Sequence, residues 1–169
     1  MIPDNFFTQL MLNEGVESDD KADSGGHTIF GISQANFPDA FIKVYSLYKL
    51  GTIQQAKQAA LKFYTAEFWN PLYERINKSN VAFRLFDFGV NAGKETAVRL
   101  LQRTLEIDDD GRFGNDTLTA VNDADNTLYD LYNQELTNHY HNIVTNNPKD
   151  AKYLNGWLNR LQKLPHECT

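Results

Sequence analysis

Two carboxylates nine residues apart, Glu14 and Asp23, bracket a polar stretch that runs into Gly25-Gly26 and then His27-Thr28. A protonated carboxyl can hand its proton to a leaving oxygen while a second carboxylate stabilises developing positive charge or orients water. The pair therefore suits acid–base work on a polar substrate. Asp20 is the rival second carboxylate, and Asp23 can equally be a turn-forming residue ahead of Gly25.

The flanking sequence predicts how these groups are held. Phe6, Phe7, Leu10 and Met11 repeat at i, i+1, i+4, i+5, a stripe for a helix that ends near Glu14 and is closed by Gly15. At that end the helix dipole disfavours further negative charge, which suits a carboxyl that must carry a proton. His27 to Ile32 has the β-branched, alternating character of a short strand or hairpin. Ser33 is expected to cap a helix that Pro38 breaks.

Helices then follow one another. Phe41 to Tyr48 are spaced for a short one, and Thr52 is expected to cap a longer one that stops at Asn70-Pro71. The segment after Ser79, with Val81, Ala82, Leu85, Phe86 and Phe88, is apolar nearly all round and reads as a central buried helix carrying Asp87 and Asn91 one turn apart. Further helices begin at Glu95, at Asn115 or Asp116, at Thr127 and at Pro148. The fold class is mainly α, with one small β-hairpin after the first helix.

Composition narrows the function. The 169 residues are 41% hydrophobic and 22% charged, the range of a globular chain with a real core. Sixteen basic against 22 acidic residues give a net charge of −6, so no nucleic-acid partner is expected. The one cysteine, Cys168, allows neither an internal disulfide nor a cysteine-based zinc site. The N-terminus lacks the basic and apolar regions of a signal peptide, and no apolar run reaches the ~20 residues of a transmembrane segment. The expectation is synthesis in the cytoplasm, with any action outside depending on release or non-classical export. Asp108-Asp109-Asp110-Gly111 invites a calcium reading, but an EF-hand loop starting at Asp108 needs Glu where Thr119 stands. No metal and no cofactor is expected.

Glu14-Gly15, Asp20, Asp23, Gly25-Gly26, Thr28 and Gly31-Ile32 resemble the signature of glycoside hydrolase family 108, peptidoglycan N-acetylmuramidases of phage endolysins and related bacterial lytic proteins. The blocks Tyr64 to Leu72, Phe86 to Gly93 and Leu100 to Arg103 are similar to its later segments. Asp110-Gly111, Phe113-Gly114, Thr117-Leu118 and Asn155 to Arg160 resemble the predicted peptidoglycan-binding subdomain paired with it. Family members often read Glu-Gly-Gly-Tyr where this chain has Glu14-Gly15-Val16-Glu17, and Gly-Gly-Glu-Thr where it has Gly25-Gly26-His27-Thr28.

The resemblance implies a lysozyme-like helical fold, with a catalytic region at 1–92 and a helical peptidoglycan-binding region at 93–169 packed into one unit. It implies hydrolysis of the β-1,4 bond between N-acetylmuramic acid and N-acetylglucosamine, by a chain acting as a monomer on glycan strands. Glu14 is the general acid on this reading, Asp23 the stabiliser of an oxocarbenium-like state, and Thr28 the residue holding water. Asn91, Trp69 and His27 are the candidates for substrate contact. Asn91 is expected to be a buried amide that a sugar could satisfy, and Trp69 either stacks on a sugar or belongs to the core. Arg99, Arg103, Lys152, Arg160 and Lys163 could gather on one face toward an anionic wall. The competing reading is a non-catalytic wall-binding or secretion-linked regulatory protein that keeps the fold.

Overall fold

The computed structural model describes residues 1–19 and 26–164, and its contacts divide the chain into two units, Met1–Trp69 and Asn70–Thr169. The architecture is mainly α, with eight α-helices and one small sheet among the described residues.

In the first unit, α1 spans Asp4–Glu14 and buries Phe6 and Leu10, the inner residues of the sequence stripe. Gly15 ends it, its N–H donating to the Met11 carbonyl. Strands β1 (Glu17–Asp19), β2 (His27–Ile29) and β3 (Ile32–Ser33) form an antiparallel sheet in that order. The period of two puts Ile29 and Ile32, both fully buried, on its core face. Helices α2 (Pro38–Lys49) and α3 (Ile53–Phe68) pack against one another, and α2 also meets β2 and β3. Ala56 and Ala60, one turn apart and fully buried, leave room on α3 for that packing.

Ser33 does not cap a helix. It is the last residue of β3, and its hydroxyl accepts the Asn36 N–H across a turn, while α2 starts with Pro38 in its first turn. Proline fits there because the first N–H of a helix has no intrahelical partner to lose. Thr52 stands before α3 as expected, but its hydroxyl donates back to the Leu47 carbonyl instead of capping forward.

In the second unit, a 3₁₀ turn at Pro71–Arg75 precedes α4 (Ser79–Ala92), which is buried without a break from Val81 to Gly89. Helix α5 (Lys94–Thr104) packs on it, α7 (Leu128–Asn146) on both, and α8 (Ala151–Leu161) on α7; α6 (Asn115–Asp123) lies against the 3₁₀ turn. Asp87 and Arg84 on α4 are buried charges. Arg160 of α8 grips Asp87 with two guanidinium nitrogens, and Arg84 also reaches it. The rest of the Arg84 guanidinium donates to the carbonyls of Arg160, Leu161 and Lys163 at the end of α8. That end is the carbonyl-bearing pole of the helix, which a cation stabilises.

The acidic turn after α5 is a scaffold. Buried Gln102 donates to Asp110, to the Arg112 carbonyl and to Thr117, and accepts the Gly111 N–H. Arg99 joins Glu95 to the Asp109 carbonyl, and Arg103 pairs with the Asp109 side chain. Arg99, Arg103 and Arg160 are thus engaged in ion pairs within the unit and do not offer a free basic face.

Candidate active site

Glu14 is the final residue of α1, half-buried, and its side chain lies over the turn that joins β2 to β3. That turn is two residues long, Phe30-Gly31, since Ile29 pairs with Ile32. A Cβ built on Gly31 would stand 2.5 Å from Glu14 Oε2 and 2.7 Å from Glu14 Cγ. The carboxyl therefore occupies the space that any other residue at 31 would fill. Gly31 also has φ +77°, the left-handed region in which glycine is unstrained.

Thr28 is the middle residue of β2, half-buried, directly opposite Ser18 of β1 and Ser33 of β3. Residues directly opposite in an antiparallel pair share a face. Ser18, Thr28 and Ser33 thus form a row of hydroxyls on the face away from Ile29 and Ile32. The acid rests on the turn of the hairpin, and β2 presents that row.

His27 lies on the other face. Its ring is edge-on to Phe41 and Tyr45, with centroids 4.9 and 5.0 Å away, and its Nε2 is 3.0 Å from Glu17 Oε1. Lys49 reaches the other Glu17 oxygen at 3.3 Å. The hydrogen bond from His27, with Lys49 adding to it, holds the Glu17 carboxyl below its ordinary value. Trp69 is buried, with Phe6 of α1 edge-on at 6.2 Å. Asp23 and its rival Asp20 lie outside the described residues.

Asn91 belongs to the second unit and is not the buried amide expected. It is exposed near the end of α4, and its Nδ2 donates to the Tyr140 hydroxyl at 2.7 Å. Tyr140 stacks on Trp157 of α8 at 5.0 Å. The unbroken buried stretch of α4 ends at Gly89, so position 91 falls past the part that is enclosed all round.

Two groups beside Glu14 escaped the sequence. A hollow of 260 Å³ next to the Glu14-Gly15 junction is walled by Phe7, Met11, Val16 and Phe30, with Lys57 the single charged residue in its lining. Tyr64 of α3 comes close to the same glycine as Glu14, its hydroxyl 2.7 Å from the position of a Gly31 Cβ. Its only sequence signal was its place at the head of the Tyr64 to Leu72 block.

Comparison with known proteins bears on the fold and the family. No curated protein matches the sequence. The solved structure of Brucella abortus SagA is similar at a TM-score of 0.64 and 22% identity, over 92% of this chain and 86% of that chain, a likeness that bears on the fold. Residues 96–162 match the family described as a predicted peptidoglycan domain. Residues 7–93, which hold Glu14, the hairpin and Tyr64, match glycosyl hydrolase 108. The family boundary falls between 93 and 96, within the second contact unit and not at Trp69. With that match covering half of the sequence, the chain belongs to the glycosyl hydrolase 108 family and carries a peptidoglycan domain behind it.

Proposed function

We propose that this protein is a peptidoglycan N-acetylmuramidase that hydrolyses the β-1,4 bond between N-acetylmuramic acid and N-acetylglucosamine, with Glu14 as the general acid. The family and the paired domain support peptidoglycan hydrolysis in general. The single observation that carries the finer reading is the seat of Glu14, a half-buried carboxyl at a helix end, laid on a glycine turn beside a strand of hydroxyls.

The acid protonates the glycosidic oxygen as the bond to the anomeric carbon lengthens, and water adds to that carbon to complete hydrolysis. Thr28 of the hydroxyl row is assigned to hold that water, and Asp23 to the positive charge developing on the ring. The apolar hollow suits the lactyl methyl of N-acetylmuramic acid, and Lys57 in its lining suits a carboxylate of the attached peptide stem. The residues from 93 onward hold the wall polymer, and the chain acts as a monomer once released to the wall.

Purified protein is expected to clear a peptidoglycan suspension and release muramic-acid reducing ends. Glu14→Gln is expected to abolish both while leaving the helical circular dichroism unchanged. Full activity in Glu14→Gln overturns the assignment of the acid. Binding to insoluble wall with no release of reducing ends by the wild type overturns the hydrolase reading in favour of a wall-binding module.

A further inference from the structure

The turn beneath Glu14 is built in an unusual way. Phe30 and Gly31 both have positive φ, the pattern of a type I′ hairpin turn, whose two central places are normally given to Asn, Asp or Gly. Here the first central residue is Phe30, at φ +48°. A side chain in the left-handed region costs about 1 kcal/mol or more, so other contacts must hold it there.

Those contacts can be named. The Phe30 ring is buried, with Tyr48 edge-on at 6.1 Å. The Phe30 N–H donates to the Val16 carbonyl at 2.6 Å, which ties the turn to the segment just after α1. The Phe30 carbonyl accepts the Tyr64 hydroxyl at 2.8 Å, and Tyr64 is buried on α3. Phe30 is thereby held at both its N–H and its carbonyl. The same Tyr64 oxygen and the Glu14 carboxyl both lie against Gly31.

We propose that Tyr64 is a positioning residue for Glu14: by holding the Phe30 carbonyl it fixes the Phe30-Gly31 turn on which the carboxyl rests. The proposal builds on the reading of Glu14 as the acid. Without the Tyr64 hydroxyl the Phe30 carbonyl is a buried acceptor with its partner removed, and the Phe30-Gly31 peptide gains a reason to rotate. The surface under the carboxyl then changes. A displacement of about 1 Å in a reacting group can cost up to a hundredfold in rate.

The test uses the full chain. Tyr64→Phe keeps the ring that fills the core and removes only the hydroxyl. Measured below its melting temperature, it is expected to lose about tenfold or more in kcat on wall fragments with KM changed by less than about twofold, the pattern of a transition-state defect. The side-chain carboxyl ¹³C resonance of Glu14, identified by its absence in Glu14→Gln, is expected to move in the same variant. Gly31→Ala places a Cβ where the carboxyl lies, and is expected to change both readouts in the same direction with Tyr64 intact. Wild-type kcat together with an unmoved Glu14 resonance in Tyr64→Phe overturns the proposal, as does full kcat in a folded Gly31→Ala. A lower melting temperature with kcat retained assigns Tyr64 a purely structural role and overturns it too. If the wild type releases no reducing ends, the hydrolase reading fails by itself, and the Glu14 resonance alone decides whether Tyr64 positions the carboxyl.

Discussion

His27 Nε2 lies 3.0 Å from Glu17 Oε1 across the strand pair, and these are two of the positions where the chain departs from the pattern of the family it resembles. The pattern has Tyr at 17 and Glu at 27; this chain has Glu and His. They stand on the sheet face opposite Thr28, which leaves the hydroxyl row unaltered.

This pair gives a pH prediction. The Glu17 carboxyl is held below its ordinary 4.5, chiefly by the His27 hydrogen bond. A lowered carboxyl contributes stability that is present above its unfolded value and is lost as pH falls through the folded one. Protection of the His27–Ile29 amides, taken relative to their intrinsic exchange rates at each pH, is therefore expected to fall as pH drops below 4.5. Glu17→Gln is expected to flatten that dependence. An unchanged profile in the variant would show that the pair does not hold the sheet.

A second pH effect belongs to the other unit. His139 is partly buried with Phe88 edge-on at 5.9 Å, and burial lowers its pKa from 6.5, with Arg103 nearby acting in the same direction and Glu135 against it. The unfolded chain takes up the proton first, so stability is complete above 6.5 and declines as pH falls from there toward the lowered value. Urea midpoints measured across that window are expected to slope with pH in the wild type and to lose part of the slope in His139→Leu.

The helix that carries Glu14 was largely legible in the sequence, and the reason is locality. The stripe Phe6, Phe7, Leu10, Met11 and the glycine after Glu14 specify a helix and its end within a dozen residues. What escaped depended on contacts distant along the chain or on a residue in an atypical role. Phe30 in a left-handed turn carries no turn signal of its own, so the helix after it was expected to start at Ser33. Tyr64 meets the Phe30 carbonyl across 34 residues, a distance that periodicity does not span. The burial of Asn91 was inferred from the apolar run before it. The run ends one residue too soon.

The buried ion cluster of the second unit predicts a large stability loss. Asp87→Ala would leave the guanidiniums of Arg84 and Arg160 in a largely buried site without their shared carboxylate. Removing one partner of such a cluster costs about 3 to 5 kcal/mol. Urea denaturation of the full chain is expected to show it; a loss under about 1 kcal/mol would mean that the carbonyls at the end of α8 suffice to hold Arg84 and that solvent satisfies Arg160.

Gly111 offers a separate check on the acidic turn. At φ +76° an added Cβ would stand 2.6 Å from Glu95 Cγ and 3.1 Å from Arg99 Nε. Gly111→Ala is expected to cost about 1 to 3 kcal/mol through the strained backbone. Because the Arg99 links to Glu95 and Asp109 surround that point, Glu95→Ala in the same background should recover part of the loss. Thermal melts of the single and double variants would show whether it does.

The embrace of Arg84 also bears on the order in which the protein is made. Chains are synthesised from the N-terminus, at roughly 5 to 20 residues per second. Arg84 emerges early, yet three of the carbonyls that satisfy it belong to Arg160, Leu161 and Lys163, which are 76 to 79 residues downstream. Until α8 leaves the ribosome, Arg84 has Asp87 and the Tyr129 hydroxyl but not those three carbonyls. Closure around Arg84 thus waits for α8, and a nascent chain halted before residue 160 would carry α4 without the clasp that locks it.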